Sequence, residues 1–82
     1  MWYVYILSSL KYKKSYVGSS DNVKRRLFEH NSGKGRYTKR YKPWKVFKYE
    51  EFETYSAART RENFLKTGAG RKELKKLFEN NS

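Results

Sequence analysis

His30, the only histidine in the chain, follows Arg26 by four residues in a segment of helical pattern, so a guanidinium and an imidazole project side by side from one face. Further along, Glu62 stands among Arg59, Arg61 and Lys66, at a position that helical spacing aligns with Ala58 and Leu65. An acid on a partly apolar face needs a reason to be there. A salt bridge to one of those cations or to Arg26 is the simplest one. His30 taken by itself reads equally well as a capping or packing residue. Gly18 directly follows the strand-like pair Tyr16-Val17, where a glycine signals either a close approach of other atoms to the backbone or an unusual dihedral angle.

The elements that must position these residues are legible in outline. Trp2 to Leu7 is rich in aromatic and β-branched residues, and Ser15 to Gly18 resumes that character after a polar stretch containing Lys11, Lys13 and Lys14, which predicts a β-hairpin. Asp21 or Asn22 caps a helix from about Val23 to Asn31, with Val23 and Leu27 on its core face, and Gly33 and Gly35 end it. The polar, basic stretch from Ser32 to Pro43 reads as a loop. Trp44 to Phe52 alternates imperfectly, which predicts a strand with a bulge between Val46 and Phe47. Thr54 or Ser56 caps a helix through about Lys66 with Ala58, Phe64 and Leu65 on its apolar side, and Thr67-Gly-Ala-Gly70 breaks it. A last helix, Arg71 to about Glu79, carries Leu74, Leu77 and Phe78 at helical spacing as a docking face. The order β-β-α-β-α-α predicts a single α+β domain over residues 1–82: a small three-stranded, mainly antiparallel sheet flanked by helices, for which two layers are enough.

Composition narrows the partner. An 82-residue chain buries a small share of its surface, and its two Trp, eight Tyr and five Phe supply the core economically. With no Cys there are no disulfides, no thiolate metal sites and no cysteine nucleophile; a reducing cytosol is permitted and a cytoplasmic location is expected. The apolar run Trp2 to Leu7 is too short to span a bilayer and lacks a basic leader and cleavage site. Twenty Lys and Arg against eight Asp and Glu give a net charge of +12, the footprint of a phosphate-binding domain. Between Lys24 and Lys48 there are ten basic residues and one acid, Glu29. From this stretch Lys24, Arg25, Lys34, Arg36, Lys39, Arg40 and Lys42 are expected to contact nucleic acid, with Tyr37, Tyr41 and Trp44 interleaved either to stack on bases or to pack. An anionic membrane surface is the competing partner, but the last helix, its only candidate, is needed to cover the core.

Taken together, these residues resemble the GIY-YIG nuclease domain in its compact, single-domain bacterial form. Tyr3-Val4-Tyr5 corresponds to the first signature tripeptide and Tyr16-Val17-Gly18 to the second; Arg26 follows Gly18 by eight residues, His30 comes next, and Glu62 lies on the later helix, with Asn22 and Asn31 completing the series. The resemblance implies a metal-dependent endonuclease that hydrolyses phosphodiester bonds in DNA, with roles in repair, recombination or defence against foreign DNA all open. By it, Glu62 is the ligand of Mg²⁺ or Mn²⁺ and Arg26 stabilises charge on the phosphoryl oxygens, a task for which a planar guanidinium is suited and Lys less so. Tyr16 is the expected base and Tyr5 its supporting partner, which requires cationic surroundings to lower a phenol from its usual value near 10. His30 either holds the phosphate, tunes the tyrosines or is itself the base. Gly18 and Asn22 are structural parts of the motif. Tyr3 replaces the first Gly of the pattern, and Ser19 stands where some relatives place a Lys. The substrate is branched, single-stranded or duplex DNA, and a protein partner supplying specificity fits the family. The alternative function is a nucleic-acid binding module that keeps the scaffold without turnover.

Overall fold

The structure, a computed structural model, describes residues 1–80; the last two residues of the expected domain, 81 and 82, lie outside it. Three strands form one antiparallel sheet in the order β2-β1-β3: β1 (Trp2–Ser9), β2 (Ser15–Ser20) and β3 (Trp44–Phe52). β1 is central, and its neighbours cover both of its edges, so its backbone groups are paired within the sheet. β2 is an edge strand, open on the side away from β1.

Four helices pack on this sheet: α1 (Val23–Asn31), α2 (Arg36–Arg40), α3 (Tyr55–Leu65) and α4 (Gly68–Asn80). The expected hairpin, the bounds of α1 and the span of β3 agree with the sequence reading. The bulge falls where expected: Ile6 pairs with Lys48 and Leu7 with Val46, so Phe47 is the extra residue. Asn22, of the two candidate caps, accepts the Arg25 N–H at 3.0 Å, and Thr54 caps α3 by accepting from Ala57.

Three expectations are corrected. Residues 32–43 are not all loop, because Arg36–Arg40 closes a short helix whose Thr38 is buried. No periodic pattern announces five residues; tertiary contacts hold them. Phe64 does not join the core but is 40% exposed. The Gly68-Ala-Gly70 run does not separate two helices as a broken linker; it opens α4 itself. A methyl group on Gly70 would stand 2.0 Å from the Phe64 carbonyl oxygen and 2.4 Å from Leu65 Cα, so the glycine permits α4 to turn directly against the end of α3.

The domain also has three layers where two were expected. Val4 and Ile6 point to one face of β1, where they join Val17, Ala58, Leu65 and Leu74 beneath α3 and α4. Tyr5 and Leu7 point to the other, joining Trp44 with Tyr16, Val23, Leu27, Tyr41 and Val46 beneath α1 and α2. A strand covered on both faces reads as a continuous apolar run, which is why Trp2 to Leu7 lacks alternation. Each of its fully buried aliphatic side chains contributes roughly 1.5–3 kcal/mol. Arg61 ties the α3–α4 layer to the sheet through ion pairs with Glu50 on β3 and Glu73 on α4.

Candidate active site around the edge strand

Gly18 lies opposite Tyr5 in the β1–β2 ladder. A methyl group added to it would stand 2.5 Å from the Tyr5 hydroxyl oxygen, and its φ is not positive. Of the two readings of this glycine, close approach is the one that holds. Absence of a side chain at Gly18 is what lets the Tyr5 ring lie flat along the face of β2 and reach helix α1.

There the Tyr5 hydroxyl meets His30 Nε2 at 3.1 Å, and His30 Nδ1 meets Thr38 Oγ1 at 2.8 Å. All three side chains are buried. The chain Tyr5–His30–Thr38 thus runs from the central strand through α1 to α2, and it explains why α2 forms. Trp44 closes the same corner: its indole N–H donates to the Thr38 carbonyl at 2.8 Å, while the Asn31 side chain bonds both the N–H and the C=O of Trp44. The half-buried Tyr16 ring completes the group, 4.7 Å from the imidazole and 6.3 Å from Tyr5 by ring centres. Among the described residues, none hydrogen-bonds the Tyr16 hydroxyl.

Arg26, one turn before His30, places Nη1 2.6 Å from Glu29 Oε1. It also faces the Tyr5 hydroxyl, whose hydrogen bond raises the guanidinium further above its usual value; the cation is permanent. Burial raises the Tyr5 phenol, and this outweighs the opposing hydrogen bond from Arg26. The cationic surroundings therefore do not make Tyr5 a ready phenolate; it stays a neutral hydroxyl at neutral pH. Burial also lowers His30, helped by the Arg26 charge against a weaker pull from Glu29, so the imidazole is neutral there.

Glu62 reaches the same strand from the opposite face. Because side chains alternate along β2, Ser19 points away from Tyr16 and Gly18 toward α3, and its hydroxyl donates to Glu62 Oε1 at 2.6 Å. Lys66 donates to Oε2 at 2.7 Å, and Arg59 lies 3.4 Å from Oε1. The salt-bridge partners are thus Arg59 and Lys66, not Arg26, while Arg61 is engaged elsewhere. Burial pushes the Glu62 carboxyl up, but the Lys66 and Ser19 hydrogen bonds and the two cationic charges outweigh it, and its pKa is lowered. A carboxylate that is 4% exposed is kept ionised. Lys66 also lies over the Tyr16 ring, 6.0 Å from its centre, and joins the two halves. The group is therefore arranged around the edge of β2: Tyr5, Tyr16, Arg26 and His30 on the α1 side, Glu62 and Lys66 on the α3 side.

No cluster of three or more His, Asp or Glu occurs among the described residues. The donor set nonetheless suits a hard divalent cation such as Mg²⁺, which takes one carboxylate plus water and phosphate oxygens. Glu62 is ionised, the Ser19 hydroxyl oxygen stands beside it, and the cations that neutralise it extend from half-exposed stems able to withdraw. The seven expected nucleic-acid contacts, Lys24, Arg25, Lys34, Arg36, Lys39, Arg40 and Lys42, are all exposed. Arg25 is paired with Asp21, and Arg40 lies over the Tyr41 ring.

Three residues of the group were not among the expected site residues, although Lys66 was named as a salt-bridge partner of Glu62. Ser19 was visible through strand alternation and Lys66 through its four-residue offset from Glu62. Thr38 had no local signal, since only the tertiary fold brings it under His30.

A family model described as the GIY-YIG catalytic domain matches residues 1–76. The chain belongs to the GIY-YIG family. It is 36% identical over 78 residues to a UPF0213 protein of Staphylococcus saprophyticus, covering 94% of each chain, and 38% identical over 78 residues to that of Staphylococcus haemolyticus, again 94% of each. A UPF0213 protein of Natronomonas pharaonis is 39% identical over 66 residues, which is 79% of this chain and 76% of the relative. No solved structure matches. The tripeptides expected from the resemblance, Tyr3-Val4-Tyr5 and Tyr16-Val17-Gly18, lie on β1 and β2, adjacent strands whose pairing sets Tyr5 against Gly18. No described helix is long and apolar enough to cross a membrane.

Proposed function

We propose that this GIY-YIG domain is a metal-dependent endonuclease acting on phosphodiester bonds in DNA. One observation carries the reading: a permanent guanidinium, two tyrosines and a buried ionised carboxylate converge from four elements around one open strand edge, within a domain of net charge +12.

The phosphodiester lies across the edge of β2 between Arg26 and Glu62. Arg26 donates to non-bridging oxygens as charge builds on them, exchanging its contact with Glu29 for the stronger planar match to phosphate. Tyr16, which lines the cleft, orients the attacking water and, in its phenolate form, would accept its proton. Tyr5 is too deeply buried to touch water and positions Tyr16 and Arg26 instead. Of the three roles open to His30, tuning the tyrosines fits a ring whose nitrogens are occupied by Tyr5 and Thr38. Glu62 would hold Mg²⁺ or Mn²⁺, which when bound neutralises the phosphoryl and departing oxygens.

The test is nicking of branched, single-stranded and duplex DNA with Mg²⁺ or Mn²⁺. Cleavage by the wild type that falls at least a hundredfold in Arg26→Ala and Glu62→Gln supports the reading. Equal signal from all three proteins, or salt-sensitive binding with no cleavage, overturns it.

A further inference from the structure

A cleft of about 520 Å³ opens beside Tyr16. Its walls come from the β1–β2 turn, which brings Lys13 and Lys14, and from the α3–α4 junction, which brings Lys66 and Arg71; Tyr37 of α2 stands at one end. All four cations are exposed, and no Asp or Glu lines the cleft. Lys66 is already committed to Glu62, but among the described residues Lys13, Lys14 and Arg71 form no ion pair. Three unneutralised cations around one concavity repel each other.

The cleft is also held in shape. Tyr37 is 42% exposed, yet its hydroxyl donates to the Ser15 carbonyl at 3.1 Å and its ring lies 6.1 Å from Tyr16 and 5.1 Å from Tyr41. Burial raises the Tyr37 phenol and Tyr41 adds to this, while Arg71 acts against both, so the Arg71 charge reaches Tyr37 across the opening. Lys14 and Arg40 both lie over the Tyr41 ring, at 5.3 and 5.7 Å. Lys14 thus lines the cleft and caps the Tyr41 ring, whereas Arg40 is engaged with Tyr41 and does not line the cleft.

We propose that this cleft is the principal phosphate-backbone site of the domain: Lys13, Lys14 and Arg71 hold the phosphates that flank the scissile one, and Tyr37 packs against the sugar. The strand then leaves Tyr16 between the hairpin turn and α4, and Lys39 and Arg40 are peripheral to its path. This rests on the nuclease reading for its occupant but not for its test, which requires no turnover.

Binding of a fluorescein-labelled 20-nucleotide DNA, single-stranded and duplex, is measured by anisotropy in EDTA at several salt concentrations. The double variant Lys14→Gln/Arg71→Gln is expected to weaken affinity at least tenfold and to lower the salt slope by about two, one per phosphate contact. The double variant Lys39→Gln/Arg40→Gln is expected to lose less than threefold. The cleft variants are surface changes, and thermal melting checks that they fold; Lys13→Gln/Lys14→Gln, confined to the turn, makes the same prediction should Arg71 prove structural. Affinity within twofold of wild type in both cleft variants, or a larger loss in the Lys39/Arg40 pair, overturns the proposal. So does wild-type binding to phosphatidylserine vesicles without binding to either DNA. Failure of the wild type to cleave DNA with Mg²⁺ leaves tight, cleft-dependent binding intact and bears on the nuclease reading alone.

Discussion

The two faces of strand β1 differ in kind. On one, the buried side chains are aliphatic, Val4 and Ile6 with Val17, Ala58, Leu65 and Leu74, and the half-buried rings of Trp2, Phe47, Phe52 and Phe78 pack around them. On the other, Tyr5 and Leu7 meet rings, and beside them lie hydrogen-bonded polar groups: His30, Thr38 and the Trp44 indole. Hydrocarbon packing is non-directional and tolerates repacking, whereas hydrogen-bonded groups must be held at set distances. The aliphatic face supplies stability, and the aromatic face spends its packing on orientation. Glu62 is the exception that links them, an acid on the α3 side brought to the site by Ser19.

This division is broken most directly by activity measurements. Arg26→Ala and Glu62→Gln are each expected to reduce DNA cleavage about a hundredfold or more, the scale of losing a charge-stabilising group, and Arg26→Ala is expected to do so with melting temperature little changed. Leu65→Ala, at a side chain 1% exposed on the aliphatic face, is expected to do the reverse. It destabilises by roughly 2–5 kcal/mol in denaturant titration, while the activity of the folded fraction is retained. A Leu65 variant that stays folded but inactive would mean that the faces are not separable.

A second substitution sharpens the boundary. Gly18→Ala forces its methyl group against the buried Tyr5 ring, 2.5 Å from the hydroxyl oxygen and 2.7 Å from Cζ. Overpacking of this kind costs about 1–3 kcal/mol, and the displaced Tyr5 also loses His30. Both stability and cleavage are expected to fall. Tyr5→Phe removes the clashing oxygen, so in the double variant stability is expected to recover in part while cleavage does not.

How much of this was legible in the sequence follows the same division. Periodicity and capping signals are local, and they place β1, α1 and β3 with Asn22, Thr54 and the Phe47 bulge correctly. The two tripeptides and the Arg26–His30 pair are legible for the same reason, since their types and intervals are local as well. What escaped was set by contact between distant segments. Thr38 belongs to a five-residue helix that exists only because His30 and Trp44 lie over it. Gly70 reads as a breaker until the Phe64 carbonyl is seen to occupy the space of its side chain. A third layer was hidden because an 82-residue chain needs only two, and the run Trp2 to Leu7 does not say which residues face which way. The cationic cleft combines residues from the hairpin turn, α2, the end of α3 and the start of α4, so charge clustering along the chain pointed to Lys34–Lys42 instead.

The subtlest difference between the faces is that only the aromatic one titrates near neutral pH. His30 is lowered in the folded protein by burial and by Arg26, so its folded value lies below the unfolded value near 6.5. As pH falls below about 6.5 the unfolded chain binds a proton that the folded one refuses, and the imidazole's contribution to stability declines across that window. Unfolding free energy from urea titration is expected to be lower at pH 5 than at pH 7.5, and His30→Gln is expected to flatten that dependence. The carboxylates contribute a separate loss at lower pH, since Glu62 is lowered and its stabilisation disappears only as pH falls through its folded value. Thr38→Val then tests orientation alone. It keeps the volume but removes the oxygen 2.8 Å from Nδ1, so ring-nitrogen chemical shifts should show His30 redistributing between its two neutral tautomers. With Nε2 no longer fixed against Tyr5, cleavage should fall several-fold with little change in DNA affinity. An unchanged tautomer together with unchanged cleavage would mean that Thr38 merely fills space, and that orientation on the aromatic face comes from ring packing rather than from its hydrogen bonds.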